Sequence, residues 1–206
     1  MKNFICGADK TALCGSYHLN KGVLLIDMPS VSACAPEIAA DTLQKIIMVE
    51  SGGNPFAVNV NKLSAGSQPK PKNVADAVAA TQYWIAKGYS VDVGLMQVNS
   101  RNFKMLGITD TELSSVFEPC NNVKYGATIL LSAWNMTSSK EHQNDRLMKS
   151  LSIYNTGNDV NGFKNGYVSK YVGRNISGSL AKTVVTPYNA DSSVGFNADS
   201  FYGDDL

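Results

Sequence analysis

The stretch that decides the fold runs Asp41-Thr42-Leu43-Gln44-Lys45-Ile46-Ile47-Met48-Val49-Glu50-Ser51-Gly52-Gly53. Leu43, Ile46, Ile47 and Glu50 fall at i, i+3, i+4 and i+7, the spacing of one face of an α-helix. Asp41 followed by Gln44 resembles a capping box at its start, and Gly52-Gly53 with Pro55 supplies the stop. One acid thus stands at the end of an apolar stripe. A carboxyl group placed there is partly desolvated, which disfavours its charged form and raises its pKa. A general acid for glycosidic cleavage near neutral pH requires that property. The same placement also suits a glutamate that only hydrogen-bonds the glycine turn behind it.

Outward from this helix the pattern stays helical nearly throughout. Residues 59–72, with Pro69 and Pro71, are expected to form a polar loop. Asn73 and Asp76 are placed to cap a second helix carrying Val74, Ala77, Val78, Thr81 and Trp84 as far as Gly88. A short helix is expected over 94–106. Another starts near Asn121 or Asn122 and carries Val123, Ile129, Leu130 and Trp134. Leu147, Leu151 and Tyr154 mark one face of a further helix ended by Gly157, and residues 160–175 suggest a last one. From Ser177 onward Ser, Gly, Asn and Asp dominate, so residues 177–206 read as a mobile tail with no core of its own, with a short strand expected at Lys182–Thr186.

The chain has 206 residues, 44% of them hydrophobic and 17% charged, which suits one soluble globular domain with a real core. Eighteen basic residues against 17 acidic leave a net charge of +1, so there is no electrostatic footprint for nucleic acid. No apolar run of bilayer length occurs. Residues 1–31 read as a leader or extension. Met1-Lys2 supplies a basic start, but Asp9 and Lys10 break the apolar core that a signal needs. A second apolar run, Gly22 to Ile26, is cut short by Asp27 and Pro29. Val31-Ser32-Ala33-Cys34 loosely resembles a lipoprotein box. A working signal and a leftover leader both stay open. Cys6, Cys14, Cys34 and Cys120 permit disulfides without requiring them. There is no CxxC pair, and His18 and His142 lack ligand spacing, so no metal is expected. No motif calls for a cofactor.

Three further motifs carry polar chemistry. In Gly94-Leu95-Met96-Gln97-Val98-Asn99, the glycine allows close backbone approach, while Gln97 and Asn99 can donate and accept hydrogen bonds in a sugar cleft. Met96 could underlie a sugar face, although a lone Met is more often core. Ile153-Tyr154-Asn155-Thr156-Gly157 ends a helix in a polar residue and a glycine, as an ordinary C-cap also does. In Asn165-Gly166-Tyr167-Val168, a tyrosine hydroxyl could bond a carboxyl group, or the ring could simply pack.

Taken in order and rough spacing, Glu50-Ser51-Gly52, Gly94 to Asn99, Tyr154-Asn155-Thr156-Gly157 and Tyr167-Val168 resemble the lytic transglycosylase family, which shares the goose-type lysozyme fold. The resemblance covers roughly residues 32–173. It implies a mainly α, lysozyme-like single domain at 32–176. Cys34-Ala35-Pro36, Pro71-Lys72-Asn73, Lys87-Gly88-Tyr89 and Pro119-Cys120-Asn121-Asn122 are most similar to the transglycosylases of type IV secretion and conjugation systems. The paired cysteine positions of that subgroup imply a Cys34–Cys120 disulfide.

The resemblance further implies cleavage of the β-1,4 bond between N-acetylmuramic acid and N-acetylglucosamine in peptidoglycan strands. Glu50 would protonate the leaving oxygen and then accept the proton of the muramyl C6 hydroxyl, giving a 1,6-anhydro product. Ser51, Met96, Gln97, Asn99, Tyr154 and Asn155 would contact the sugar, and Tyr167 would orient Glu50. The implied protein is a monomer that works in the periplasm or exported to the cell envelope, beside secretion or conjugation components. Glycosidases that use water commonly pair two carboxyl groups. Goose-type lysozymes have an Asp where this chain has Asn99, their other aspartate falls near Gly88, and Asp92 matches neither position. One carboxylate favours the anhydro route over the alternative of a hydrolytic muramidase. The intact set of motifs argues against a non-catalytic wall-binding scaffold. Ile153 departs from the family, where a small residue or Cys is usual.

Overall fold

The computed structural model describes residues 3–4, 16–20, 23–26 and 31–171. The expected tail, the strand at Lys182–Thr186, Cys6 and Cys14 lie outside the described residues. The described chain divides into two units, one containing the residues up to Ala35 with Ile46–Gly126, the other Pro36–Lys45 with the residues from Ala127 onward.

In the first unit, β1 (Asn3–Phe4), β2 (Ser16–Asn20) and β3 (Val23–Ile26) pair antiparallel, with Tyr17 opposite both Asn3 and Ile26. Helix α1 (Ala40–Glu50) begins in the second unit and ends in the first. It starts one residue before Asp41, which therefore lies inside the first turn and accepts from the Thr42 N–H at 2.9 Å rather than standing ahead of the helix as a cap. Ile46 and Ile47 are buried, as their spacing predicts.

The expected loop at 59–72 instead begins as a strand. Valines alternating with polar residues form β4 (Val58–Val60), β5 (Val91–Val93) and β6 (Val98–Asn99), an antiparallel sheet in that order. All five valines of these strands turn inward and are buried. Gln68 closes the outer edge of β4. Its Oε1 accepts from the Val60 N–H at 2.7 Å, and its Nε2 donates to the carbonyls of Val60 at 2.9 Å and Leu63 at 3.0 Å. A side chain thereby occupies an edge that would otherwise offer unpaired backbone groups. Between β4 and β5 runs α2 (Val74–Ala86), with Asn73 as its cap accepting from the Asp76 N–H at 2.9 Å, as the sequence predicts.

The expected helix over 94–106 is corrected to a turn, the short strand β6 and a 3-10 turn at Ser100–Asn102. Gly94 at φ 75° and Gln97 at φ 50° are both left-handed, and each interrupts a right-handed helix. Helix α3 (Pro119–Asn135) starts earlier than expected, with Pro119 at its first position, where a missing N–H costs nothing. Cys34 and Cys120 are joined, with Cα atoms 5.4 Å apart across 86 residues.

In the second unit, α4 (Gln143–Thr156) buries Leu147, Leu151 and Ile153 and ends at Gly157, whose φ of 74° makes the left-handed cap. Arg146 on α4 lies over the Trp134 ring at 3.9 Å and donates to Trp134 O and Thr137 Oγ1, satisfying the end of α3. Over 160–171, the described part of the last expected helix, the chain forms α5 (Asn161–Lys164) and a 3-10 turn at Val168–Lys170, and residues 172–175 lie outside the described residues. Ser152 ties α5 to α4 by donating to Asn158 O at 2.6 Å and accepting from the Gly162 N–H at 2.8 Å. The mainly helical architecture expected from the sequence is present.

Candidate active site

Glu50 is the last residue of α1 and half-buried. Directly after it, the Ser51 hydroxyl lies 2.8 Å from Leu95 O and accepts from the Gly53 N–H at 3.2 Å. Ser51 therefore ties the end of the glutamate helix to the turn Gly94–Gln97, 44 residues further along. Its hydroxyl, expected on the substrate, is engaged within the protein.

That turn is held from behind by Asn122 on α3, which is almost fully buried. The Asn122 Oδ1 accepts from the Met96 N–H at 2.8 Å, and its Nδ2 donates to Val93 O at 3.0 Å and Val116 O at 2.9 Å. A side chain on residue 94 would run into this carboxamide, so Gly94 is required twice, for its φ and for the space. Gly126 is required for the next turn of α3, because a Cβ there would sit 2.6 Å from Met96 Cβ and Sδ. Met96 itself is fully buried, so its side chain serves the core of this unit. Gln97 is half-buried, holds a left-handed backbone and donates from Nε2 to Gly94 O at 2.8 Å. A non-glycine residue in that region stores strain, which clusters at functional sites.

Asn99 uses both ends of its carboxamide locally. Nδ2 donates to Asp92 Oδ1 at 2.7 Å, and Oδ1 accepts from the Arg101 N–H at 2.9 Å. Asp92 also accepts from Asn61 Nδ2 at 3.0 Å. Desolvation pushes the Asp92 carboxyl above the ordinary carboxylate range, against the lowering effect of the Asn99, Asn61 and Asn59 hydrogen bonds and of Arg101. The roles of Asn122 and Gly126 were not read from sequence, and Asp92 was weighed there only as a missing second acid, not as an acceptor for Asn99 and Asn61. In the sequence Asn122 stood out as a possible helix start and as part of the Pro119-Cys120-Asn121-Asn122 segment, with no sign of its hydrogen-bonding role.

The remaining expected residues belong to the second unit. Tyr154 is half-buried on α4. Asn155 is exposed, its Oδ1 accepting from Asn165 Nδ2 at 3.0 Å. Tyr167 is buried, and its hydroxyl hydrogen-bonds that of Tyr171 at 2.9 Å. Both helix-end asparagine and tyrosine are thus held by short-range polar contacts rather than left loose.

In the first unit a helix-terminal glutamate is followed by a serine pinned to a strained, glycine-led turn, and the second unit carries the Tyr-Asn-Thr-Gly helix end. The chain belongs to the transglycosylase SLT domain family, which matches residues 27–176. Protein virB1 of Agrobacterium fabrum is 37% identical over 137 residues, covering 66% of this chain and 54% of that protein. Protein virB1 of Rhizobium radiobacter is 34% identical over 158 residues, covering 77% and 63%. The type IV secretion system protein virB1 of Brucella abortus biovar 1 is 33% identical over 146 residues, covering 68% and 59%. The chain therefore spans between about half and under two thirds of the length of these relatives. No solved structure matches the chain.

Proposed function

We propose that the protein is a peptidoglycan lytic transglycosylase that cleaves the β-1,4 MurNAc–GlcNAc bond and releases a 1,6-anhydro-MurNAc end. The observation that carries this reading is the Ser51 bond to Leu95, which couples the end of the Glu50 helix to the turn bearing Gln97. Catalysis of this kind needs one proton donor held against a bound sugar. Glu50 donates its proton to the leaving oxygen, the glycosidic bond breaks, and the resulting carboxylate takes the proton of the muramyl C6 hydroxyl as that oxygen closes on C1. No water is consumed. Gln97 offers its carboxamide to the glycan, while Tyr154, Asn155 and Tyr167 are assigned to glycan contacts and carboxyl orientation by motif resemblance.

The likeness to virB1 proteins supports a role in opening the cell wall for a type IV secretion or conjugation apparatus. A disulfide within the first unit suits an oxidising compartment such as the envelope. Among the described residues no helix is long and apolar enough to cross a membrane.

Digestion of sacculi followed by mass spectrometry tests the reading. Anhydro-muropeptides are expected from the parent, and none from Glu50→Gln with its fold retained. Products heavier by one water would identify a muramidase instead, and unchanged turnover in Glu50→Gln would remove the mechanism.

A further inference from the structure

Asp92 is a desolvated carboxylate that the proposed chemistry does not use. It stands at the centre of β5, with Asn59 of β4 on one side in register and Asn99 of β6 on the other. Oδ1 accepts from Asn99 and Oδ2 from Asn61, and Asn59 is a further hydrogen-bonding neighbour. A carboxylate is acceptor-only, so it can take amide N–H donors on both oxygens at once. The consequence for Asn99 is directional. With Nδ2 committed to Asp92, its Oδ1 must face the other way, where it receives the Arg101 N–H and starts the 3-10 turn. The hairpin β5–β6 is thus tied across its open end by a side-chain pair, and Gly94–Gln97 is the turn at its closed end. Both Asp92 oxygens being occupied by amides speaks against a reacting role.

We propose that Asp92 is a positioning residue of the active site: its carboxylate orients the Asn99 and Asn61 carboxamides, locks β5 to β6, and so holds the Gly94–Gln97 turn in the geometry that engages the glycan. This rests on the reading of that turn as glycan-binding.

The hydrogen-bond inventory orders a set of variants. Asp92→Asn keeps an oxygen for Asn99, and its new amide can meet Asn61 once that carboxamide rotates, so kcat/KM stays within about threefold of the parent. Asp92→Ala leaves the amides without their acceptor and lowers kcat/KM at least about tenfold, chiefly through KM because the glycan-binding turn rather than Glu50 is disturbed. Asn99→Asp alone opposes two carboxylates and is expected to lose roughly as much. The exchange Asp92→Asn with Asn99→Asp keeps the bond between positions 92 and 99, since the new amide donates to the new carboxylate, which still accepts from the Arg101 N–H while the residue-92 oxygen accepts from Asn61. It recovers activity to within about threefold.

The test measures kcat and KM on purified glycan strands for these four variants, with melting curves and the side-chain amide NMR signals of Asn99 and Asn61. Recovery in the exchange variant, with those signals shifted in Asp92→Ala, supports the proposal. It is overturned if Asp92→Asn is as inactive as Glu50→Gln, if Asp92→Ala is as active as the parent, or if the exchange is no better than Asn99→Asp alone. Should Asp92→Ala fail to fold, the exchange comparison still decides. A parent that releases no muropeptides defeats the proposed function instead, and unshifted amide signals in a folded Asp92→Ala separately defeat the clamp.

Discussion

At the scale of single residues, Gln97 is the point where conformation and chemistry compete. Its φ of 50° lies in the region where a non-glycine residue costs about 1–2 kcal/mol, and its Nε2 is spent on Gly94 O, which helps hold that backbone. Gln97→Gly relieves the steric strain but removes the carboxamide. The variant is expected to be as stable as the parent or more stable by up to about 1 kcal/mol, and to release muropeptides at least about tenfold more slowly. Chemical denaturation and sacculus digestion check the two halves. Equal activity in the variant would mean that the strained side chain has no functional purpose. Asn99 shows the opposite case, a residue whose type suggested sugar contact but whose two polar ends are committed to Asp92 and Arg101. Residue type in the sequence identified a polar site there; it could not say where the hydrogen bonds would go.

At the scale of elements, the turn Gly94–Gln97 is held from three sides: Ser51 from the end of α1, Asn122 from α3, and the β5–β6 pairing beneath it. Asn122 is the part whose loss is most costly. Truncating it leaves two carbonyls and the Met96 N–H without their partner in a buried place, so Asn122→Ala is expected to destabilise by about 2–4 kcal/mol. Urea denaturation measures it, and a change under about 0.5 kcal/mol would show that water substitutes for the carboxamide. The helices α1, α2 and α4 were legible because each buries a 3.6-period stripe over three turns or so, with caps such as Asn73 and Gly157 at their ends. The strands β4, β5 and β6 were not, because two or three residues are too few to establish an alternating period. Val98, Phe103 and their neighbours were assigned to a helix for the same reason.

At the scale of the molecule, the Cys34–Cys120 bridge closes a long loop through the first unit, from the chain ahead of α1 to the first turn of α3. In the chain-entropy picture a loop of 86 residues corresponds to about 4–5 kcal/mol of stabilisation. Replacing both cysteines by serine is expected to lower Tm by roughly 5–15 °C while leaving Glu50 chemistry available below the transition. Calorimetry of the double variant and of the reduced parent should agree; a Tm unchanged in both would mean that the bridge constrains nothing in the unfolded chain.

The helical class, the start of α2, the stops of α1 and α4, the family and the residue expected to carry the acid were all readable from the chain, because periodicity, caps and short ordered motifs are local properties of it. Which of the polar side chains take partners within the protein was decided only by tertiary structure. The Ser51 hydroxyl and the Asn99 carboxamide are engaged by partners 44 and 7 residues away, the Met96 side chain is buried in the core, and the acceptor for Asn99 is Asp92. Hydrogen bonding and close packing join groups that are distant in sequence, so no local pattern records them.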